Sequence, residues 1–64
     1  MIRFLRREGF QLLRVSGSHH YLAREELRTS VPVHGSRPLK IGTLRGILRD
    51  VRLSPTEFAN RFKS

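Results

Sequence analysis

Three extended runs decide the fold of this chain: FQLLRV at residues 10–15, HHYLAR at 19–24 and RTSVPVH at 28–34. In the third run, apolar or β-branched residues alternate with other types, which is the period of two expected of a strand. Pro32 lacks a backbone donor, and this places the third strand at an edge of a sheet. In the first run, the same period places Leu13 and Val15 on one face, opposite to Leu12.

Helical patterns precede and follow the three runs. Residues 1–8 have the spacing of a short amphipathic helix. From Leu44 onward, apolar residues recur at i, i+3, i+4 and i+7, which predicts a second helix with Thr43 as its N-cap. Gly46 lies inside this helix, and we expect a neighbouring element to approach closely there. The stretch Ser54-Pro55-Thr56-Glu57 predicts a capping box at the start of a third, short helix.

The predicted order is therefore helix, three antiparallel strands, helix and a short terminal helix. Three strands joined by tight turns bury one sheet face against both flanking helices and leave the other face open. We predict an α+β fold, a two-layer α-β-β-β-α domain with a three-stranded antiparallel sheet, spanning residues 1–64 as a single domain. Double-stranded RNA-binding domains share this topology, but a shared fold does not by itself establish RNA binding.

The composition excludes several classes of protein. The chain has 64 residues, no cysteine, and a formal net charge of +8 from 13 Lys and Arg against five Asp and Glu. A chain this short forms one small core, and without cysteine it has neither a disulfide framework nor a thiolate zinc site. No apolar run approaches the roughly 20 residues that span a bilayer, so we expect a cytoplasmic protein with no membrane partner.

The basic residues favour nucleic acid as the partner, because most of them are arginine, whose planar guanidinium pairs with phosphate oxygens. Among catalytic groups, the carboxylates are too scattered for paired acid–base or two-metal chemistry, and the glycines form no nucleotide-binding motif. Three histidines remain, at His19, His20 and His34. Adjacent strand residues point to opposite faces, so His19 and His20 are poorly placed to share an ion, and we expect no metal and no cofactor.

Histidine and arginine together suffice to cleave RNA. An unperturbed imidazole has a pKa near 6.5, and RNA carries its own nucleophile in the 2′-hydroxyl. Cleavage then needs a base, an acid and cations that stabilise the phosphorane charge. Strand alternation places His20 beside Leu22 and places His19 beside Tyr21 on the other side. If Leu22 is buried, His19 lies on the open face next to an aromatic ring that can stack an unpaired base.

Three segments resemble the HicA toxins, also described as YcfA-like mRNA interferases: Gly17-Ser18-His19-His20, Val31-Pro32-Val33-His34-Gly35, and LKIGTLRGILR at residues 39–49. Their order and spacing match over nearly the whole chain. The resemblance implies a fold like that of double-stranded RNA-binding domains and a toxin of a type II toxin–antitoxin system that cleaves mRNA. It also implies a catalytic histidine in the G-S-H motif, which is His19, and neutralisation by a HicB-type antitoxin.

We therefore expect an endoribonuclease that acts on single-stranded mRNA, with His19 as general base or acid and His20 or His34 as the complementary group. The candidate RNA-binding residues are Ser18, Tyr21, Arg24, Arg37, Lys40, Arg45 and Arg49. A non-catalytic basic module is the alternative, and it would hold structured RNA through the arginines of the second helix, Arg45, Arg49 and Arg52. A third possibility is that the cationic surface docks an acidic partner, which overlaps with the toxin hypothesis because an antitoxin must cover that surface.

Overall fold

The structure is a computed structural model that describes residues 1–35 and 37–63. Its elements follow in the order α1 (Ile2–Arg7), β1 (Gln11–Ser16), β2 (His19–Arg24), β3 (Leu27–Pro32), α2 (Ile41–Asp50) and α3 (Pro55–Lys63). The strands form one antiparallel sheet in the order β1-β2-β3. The predicted α+β architecture is confirmed, and its α-β-β-β-α order is compatible with the fold of double-stranded RNA-binding domains.

One face of the sheet packs against the helices. Leu22 of β2 has no exposed surface, and Val31 of β3 lies beside it in the same buried cluster. Thr29 is also buried, and its hydroxyl donates a 3.0 Å hydrogen bond to the Asp50 carboxylate, which ties β3 to the end of α2. The main buried cluster of the described residues contains Phe4, Leu5, Phe10, Leu22, Val31, Ile47 and Val51.

A β-bulge in β1 changes the faces predicted for that strand. The pairing of β1 with β2 shifts around Leu13, so Leu12 stands opposite Leu22 and Val15 stands opposite His20. Leu12 and Val15 therefore share the face that carries Leu22. The prediction that Leu13 and Val15 share a face opposite to Leu12 is wrong, because the extra residue of a bulge interrupts the period of two.

Helix α2 differs from the prediction at its start and in its interior. It begins at Ile41, after Lys40 as N-cap, and Lys40 makes no side-chain capping hydrogen bond. Thr43 therefore lies within the first turn and is not the N-cap. The close approach expected at Gly46 is also wrong, since a Cβ built at this position would meet no atom within 4 Å outside the helix.

Helix α3 packs against α1 through three aromatic rings. Phe4 and Phe58 meet edge to face with ring centroids 5.2 Å apart, and Phe62 lies 5.6 Å from Phe4 and 5.1 Å from Phe58. The Arg61 guanidinium adds a 2.8 Å ion pair with the Glu8 carboxylate just after α1. The terminal helix therefore covers the outer side of Phe4.

The capping box predicted at the start of α3 is confirmed. The Glu57 N–H donates to Ser54 Oγ, and the Ser54 N–H donates to Glu57 Oε1, each at 3.0 Å. The hydrogen bond from the Ser54 N–H favours the ionised carboxylate and, together with the Ser54 side chain, lowers the pKa of Glu57 below its usual value. Across residues 1–35 and 37–63, no helix has the length and apolar character needed to cross a membrane.

Candidate functional site

His19 is the first residue of β2 and lies on the face of the sheet that points away from the core. Its partners in the register are Ser16 of β1 and Pro32 of β3. Because Leu22 is fully buried and strand residues alternate, His19 and Tyr21 face the other way. The side of the sheet predicted for His19 is confirmed, and we call this surface the His19 face.

Tyr21 adjoins His19 on this face, with ring centroids 6.4 Å apart and planes inclined by 35°. Arg14 of β1 stands opposite Tyr21, and its guanidinium carbon lies 4.3 Å from the centre of the phenol ring. This is a cation–π contact, and the strand register holds it in place. An imidazole and an aromatic ring therefore lie next to each other along β2, and a guanidinium from β1 lies over the aromatic ring.

Arg14 is a member of this group that the sequence reasoning missed. The sequence contained one indication of a functional role for Arg14, because it is the charged residue in a run of residues 12–15 that is otherwise apolar. Its cross-strand partner could not be assigned, because the bulge at Leu13 decides whether Arg14 stands opposite Tyr21 or opposite a residue of the core-facing side.

His20 lies on the opposite side of β2 from His19. It is half-buried between Val15 of β1 and Val31 of β3 in the register. Its Nδ1 atom is buried and has no hydrogen-bond partner among the described residues. The sheet thus separates two of the three predicted catalytic histidines, and one nitrogen of His20 is not accessible to solvent.

His34 is exposed and lies beyond the end of β3, at the same end of the sheet as His19. Strand β3 ends at Pro32, which pairs with His19. The Val33 N–H then donates a 2.7 Å hydrogen bond to the carbonyl oxygen of Ser18. This hydrogen bond ties the segment that carries His34 to the turn that precedes His19. Of the three histidines, these two therefore lie on adjoining segments.

Two clefts flank the segment between β3 and α2, and His34 lines both. The cleft at the start of α2 has a volume of about 360 Å³ and is also lined by Arg37, Lys40 and Thr43. The cleft on the α1 side, of about 300 Å³, is lined by Met1, Ile2 and Arg3 among others. The predicted RNA-binding residues Arg37 and Lys40 therefore lie beside His34.

The other basic residues predicted to bind RNA lie apart from these clefts. Arg24 ends β2, where its guanidinium donates a 2.6 Å hydrogen bond to the Glu8 carbonyl and lies 4.8 Å from the centre of the Phe10 ring. Arg24 therefore holds α1 against the sheet. Arg45 and Arg49 are exposed on α2, whereas Arg52 follows the helix in a left-handed conformation with φ of 59°.

In residues 1–35 and 37–63, most of the positive charge has no acidic partner. Within the described residues, the Arg61–Glu8 contact is the one ion pair. The carboxylates of Asp50 and Glu57 accept hydrogen bonds that stabilise the fold, from Thr29 and Ser54 respectively. In the same part of the chain, no three His, Asp or Glu side chains lie close enough together to hold a metal ion.

Comparison with known proteins adds one finding. The model of the family described as the HicA toxin of bacterial toxin–antitoxin systems matches residues 1–53. This range contains α1, the whole sheet and α2, and it leaves out α3. No curated protein and no solved structure matches the chain.

Proposed function

The chain belongs to the HicA toxin family of bacterial toxin–antitoxin systems, and we propose that it is a metal-independent endoribonuclease that cleaves single-stranded mRNA. Membership of the family implies an antitoxin partner, and we propose that this partner is of the HicB type. We also propose that residues 1–64 act as one domain. The observation that carries the catalytic proposal is the exposed His19 imidazole on the same sheet face as Tyr21 and Arg14.

The reaction uses the 2′-hydroxyl of the RNA as nucleophile. A base removes its proton, the oxygen attacks the adjacent phosphorus, the bond from phosphorus to the 5′-oxygen breaks, and an acid protonates that leaving oxygen. One neutral imidazole and one imidazolium can fill these two roles at neutral pH. The products are a 2′,3′-cyclic phosphate and a 5′-hydroxyl end.

His19 takes one of the two proton-transfer roles. The complementary group is His34 or His20. Two observations favour His34: it is exposed, and the hydrogen bond from Val33 to Ser18 joins its segment to the turn before His19. His20 has a buried Nδ1 on the other side of the sheet, which disfavours it.

The substrate is held by stacking and by charge. The Tyr21 ring is the stacking surface for an unpaired base next to His19, and the Arg14 guanidinium over it adds a second planar surface and a positive charge. Arg37 and Lys40, beside His34, supply cations for the phosphates. Ser18, in the turn before His19, contacts the backbone of the same strand of RNA.

Incubation of single-stranded RNA with the purified chain in EDTA tests this function. We expect the wild type to cut, and His19→Ala to cut at least about 100-fold more slowly, the usual contribution of a general acid or base. Because His19 is exposed, the variant should keep the circular dichroism spectrum and thermal midpoint of the wild type. His20→Ala and His34→Ala, tested in parallel, identify the complementary group. Full activity in His19→Ala would overturn the assignment.

A non-catalytic RNA-binding module is the second candidate, and the exposed Arg45 and Arg49 of α2 favour it. Such a module would bind structured RNA with an affinity that falls steeply with salt, would release no product, and would not arrest growth when expressed. Substitution of both arginines by alanine would then weaken binding, whereas under the endoribonuclease proposal the loss of His19 is decisive.

A further inference from the structure

The cleft between the end of β3 and the start of α2, here called the β3–α2 cleft, contains apolar and hydroxyl side chains that the catalytic proposal does not use, beside the basic ones that it does use. Its volume of about 360 Å³ lies within the range of roughly 300–1,000 Å³ that is typical of small-molecule sites. His34, Arg37 and Lys40 line it, and the described lining contains no carboxylate. A concave surface with several basic groups and no acidic group is suited to an anion.

The lining also contains apolar side chains beside the basic ones. Arg37, Lys40 and the Thr43 hydroxyl can donate hydrogen bonds to phosphate oxygens, whereas Pro32 and Pro38 present saturated ring faces. A site for a free inorganic anion needs the donors alone. Donors next to flat apolar surfaces fit a ligand that carries both a phosphate and a base or sugar.

We propose that the β3–α2 cleft binds one nucleotide unit of the substrate, with its phosphate on Arg37 and Lys40 and its base or sugar against the two prolines. This inference rests on the proposed function, which supplies RNA as the polymer. Pro32 lines the cleft and pairs with His19, and adjacent strands lie about 4.8 Å apart. The bound nucleotide is thus a near neighbour of the one that is cut, and the cleft positions the chain of RNA for His19.

The cleft on the α1 side provides an internal control. Four residues line both clefts: Pro32, His34, Arg37 and Leu39. Pro38, Lys40 and Thr43 line only the β3–α2 cleft, and Arg3 lines only the other. Lys40 and Arg3 are both exposed basic residues. Lys40→Ala and Arg3→Ala therefore remove the same charge from different clefts.

Titration of the isotope-labelled full chain with adenosine 5′-monophosphate or uridine 5′-monophosphate, followed by NMR, tests the inference without any cleavage step. We expect the largest changes in amide chemical shift at His34 and at residues 39–43. Lys40→Ala should weaken nucleotide binding about fivefold, which is the upper range for an exposed charge pair. Arg3→Ala should leave the affinity for the nucleotide unchanged. Inorganic phosphate should perturb the same amides at higher concentration, and adenosine alone should perturb them least.

Three outcomes would overturn the inference: no localised shifts, equal weakening by the two variants, or phosphate binding as tightly as the nucleotides. Equal weakening would mean non-specific attraction to a basic protein, and tight phosphate would mean a simple anion site. The result is separable from the catalytic proposal. Nucleotide binding by a chain that never cuts RNA would support the cleft and contradict the enzyme, and cutting without nucleotide binding would do the reverse.

Discussion

The backbone N–H of Val33 donates a 2.7 Å hydrogen bond to the carbonyl oxygen of Ser18. It continues the pairing of β2 with β3 one step beyond His19 and Pro32, the last pair of the ladder. Since Ser18 precedes His19 and Val33 precedes His34, this hydrogen bond, together with the pairing of His19 with Pro32, sets the spacing of the two segments that carry the exposed histidines.

We predict that Val33→Pro, which removes the donor, reduces cleavage at least tenfold. The loss of one hydrogen bond costs about 1 kcal/mol of folding free energy, so the variant should still be folded in buffer. Urea denaturation measures its stability. Val33→Ala is the control, because it keeps the N–H and truncates a side chain that is already partly exposed. Equal activity in the two variants would show that the hydrogen bond does not position the histidines.

The contact of Phe58 with Phe4 should stabilise the whole domain. Phe58→Ala removes the edge-to-face ring pair and part of the cover over α1, which we expect to cost about 2 kcal/mol. For a domain of this size that lowers the thermal midpoint by roughly 8–16 °C. Phe62→Ala is the matched control and should cost less, since that ring is 52% exposed. A larger effect of Phe62→Ala in thermal unfolding would contradict the packing described.

The capping box of α3 should make stability depend on pH. The pKa of Glu57 is lowered in the folded chain by the hydrogen bonds with Ser54, so the ionised carboxylate stabilises the fold at neutral pH. This contribution is present above the pKa of the unfolded chain and is lost as the pH falls through the folded value. Wild type should therefore exceed Glu57→Gln in thermal midpoint at pH 7, and the difference should shrink on acidification. A constant difference from pH 7 to pH 2 would contradict this.

Tyr21 should contribute to RNA affinity rather than to chemistry. Stacking of one base on an aromatic side chain is worth about 1–3 kcal/mol, so Tyr21→Leu should weaken RNA binding roughly fivefold to 150-fold. Tyr21→Phe keeps the ring and should bind nearly as well as the wild type. Binding is best measured in the His19→Ala background, where the RNA stays intact. Similar affinities for all three chains would rule out a stacking role.

Much of the fold follows from local patterns in the sequence. The strand β2 over His19–Arg24, the edge position of Pro32 and the capping box of Ser54 and Glu57 were all predictable, because each depends on residues close together in the chain. The side of the sheet that His19 occupies follows from the burial of Leu22 alone.

Features that depend on distant contacts were not predictable. The bulge at Leu13 places the residues of β1 that follow it on the faces opposite to those predicted. The residue type at position 13 does not indicate a bulge. The packing of Phe58 on Phe4 joins the two ends of the chain, and the pairing of Arg14 with Tyr21 depends on the bulge. The separation of His19 from His20 by the sheet was predicted from strand alternation, whereas the hydrogen bond that joins the segment of His34 to the turn before His19 was not.

The central claim is that His19 promotes attack by the 2′-hydroxyl of RNA. Mass spectrometry of the fragments from a short RNA, cut in EDTA by wild type and by His19→Ala, tests it most directly. We predict that the wild type leaves a 2′,3′-cyclic phosphate or its hydrolysis product, paired with a 5′-hydroxyl, and that His19→Ala leaves the RNA intact. Fragments with 5′-phosphate and 3′-hydroxyl ends, or the same fragments at the same rate from His19→Ala, would contradict it.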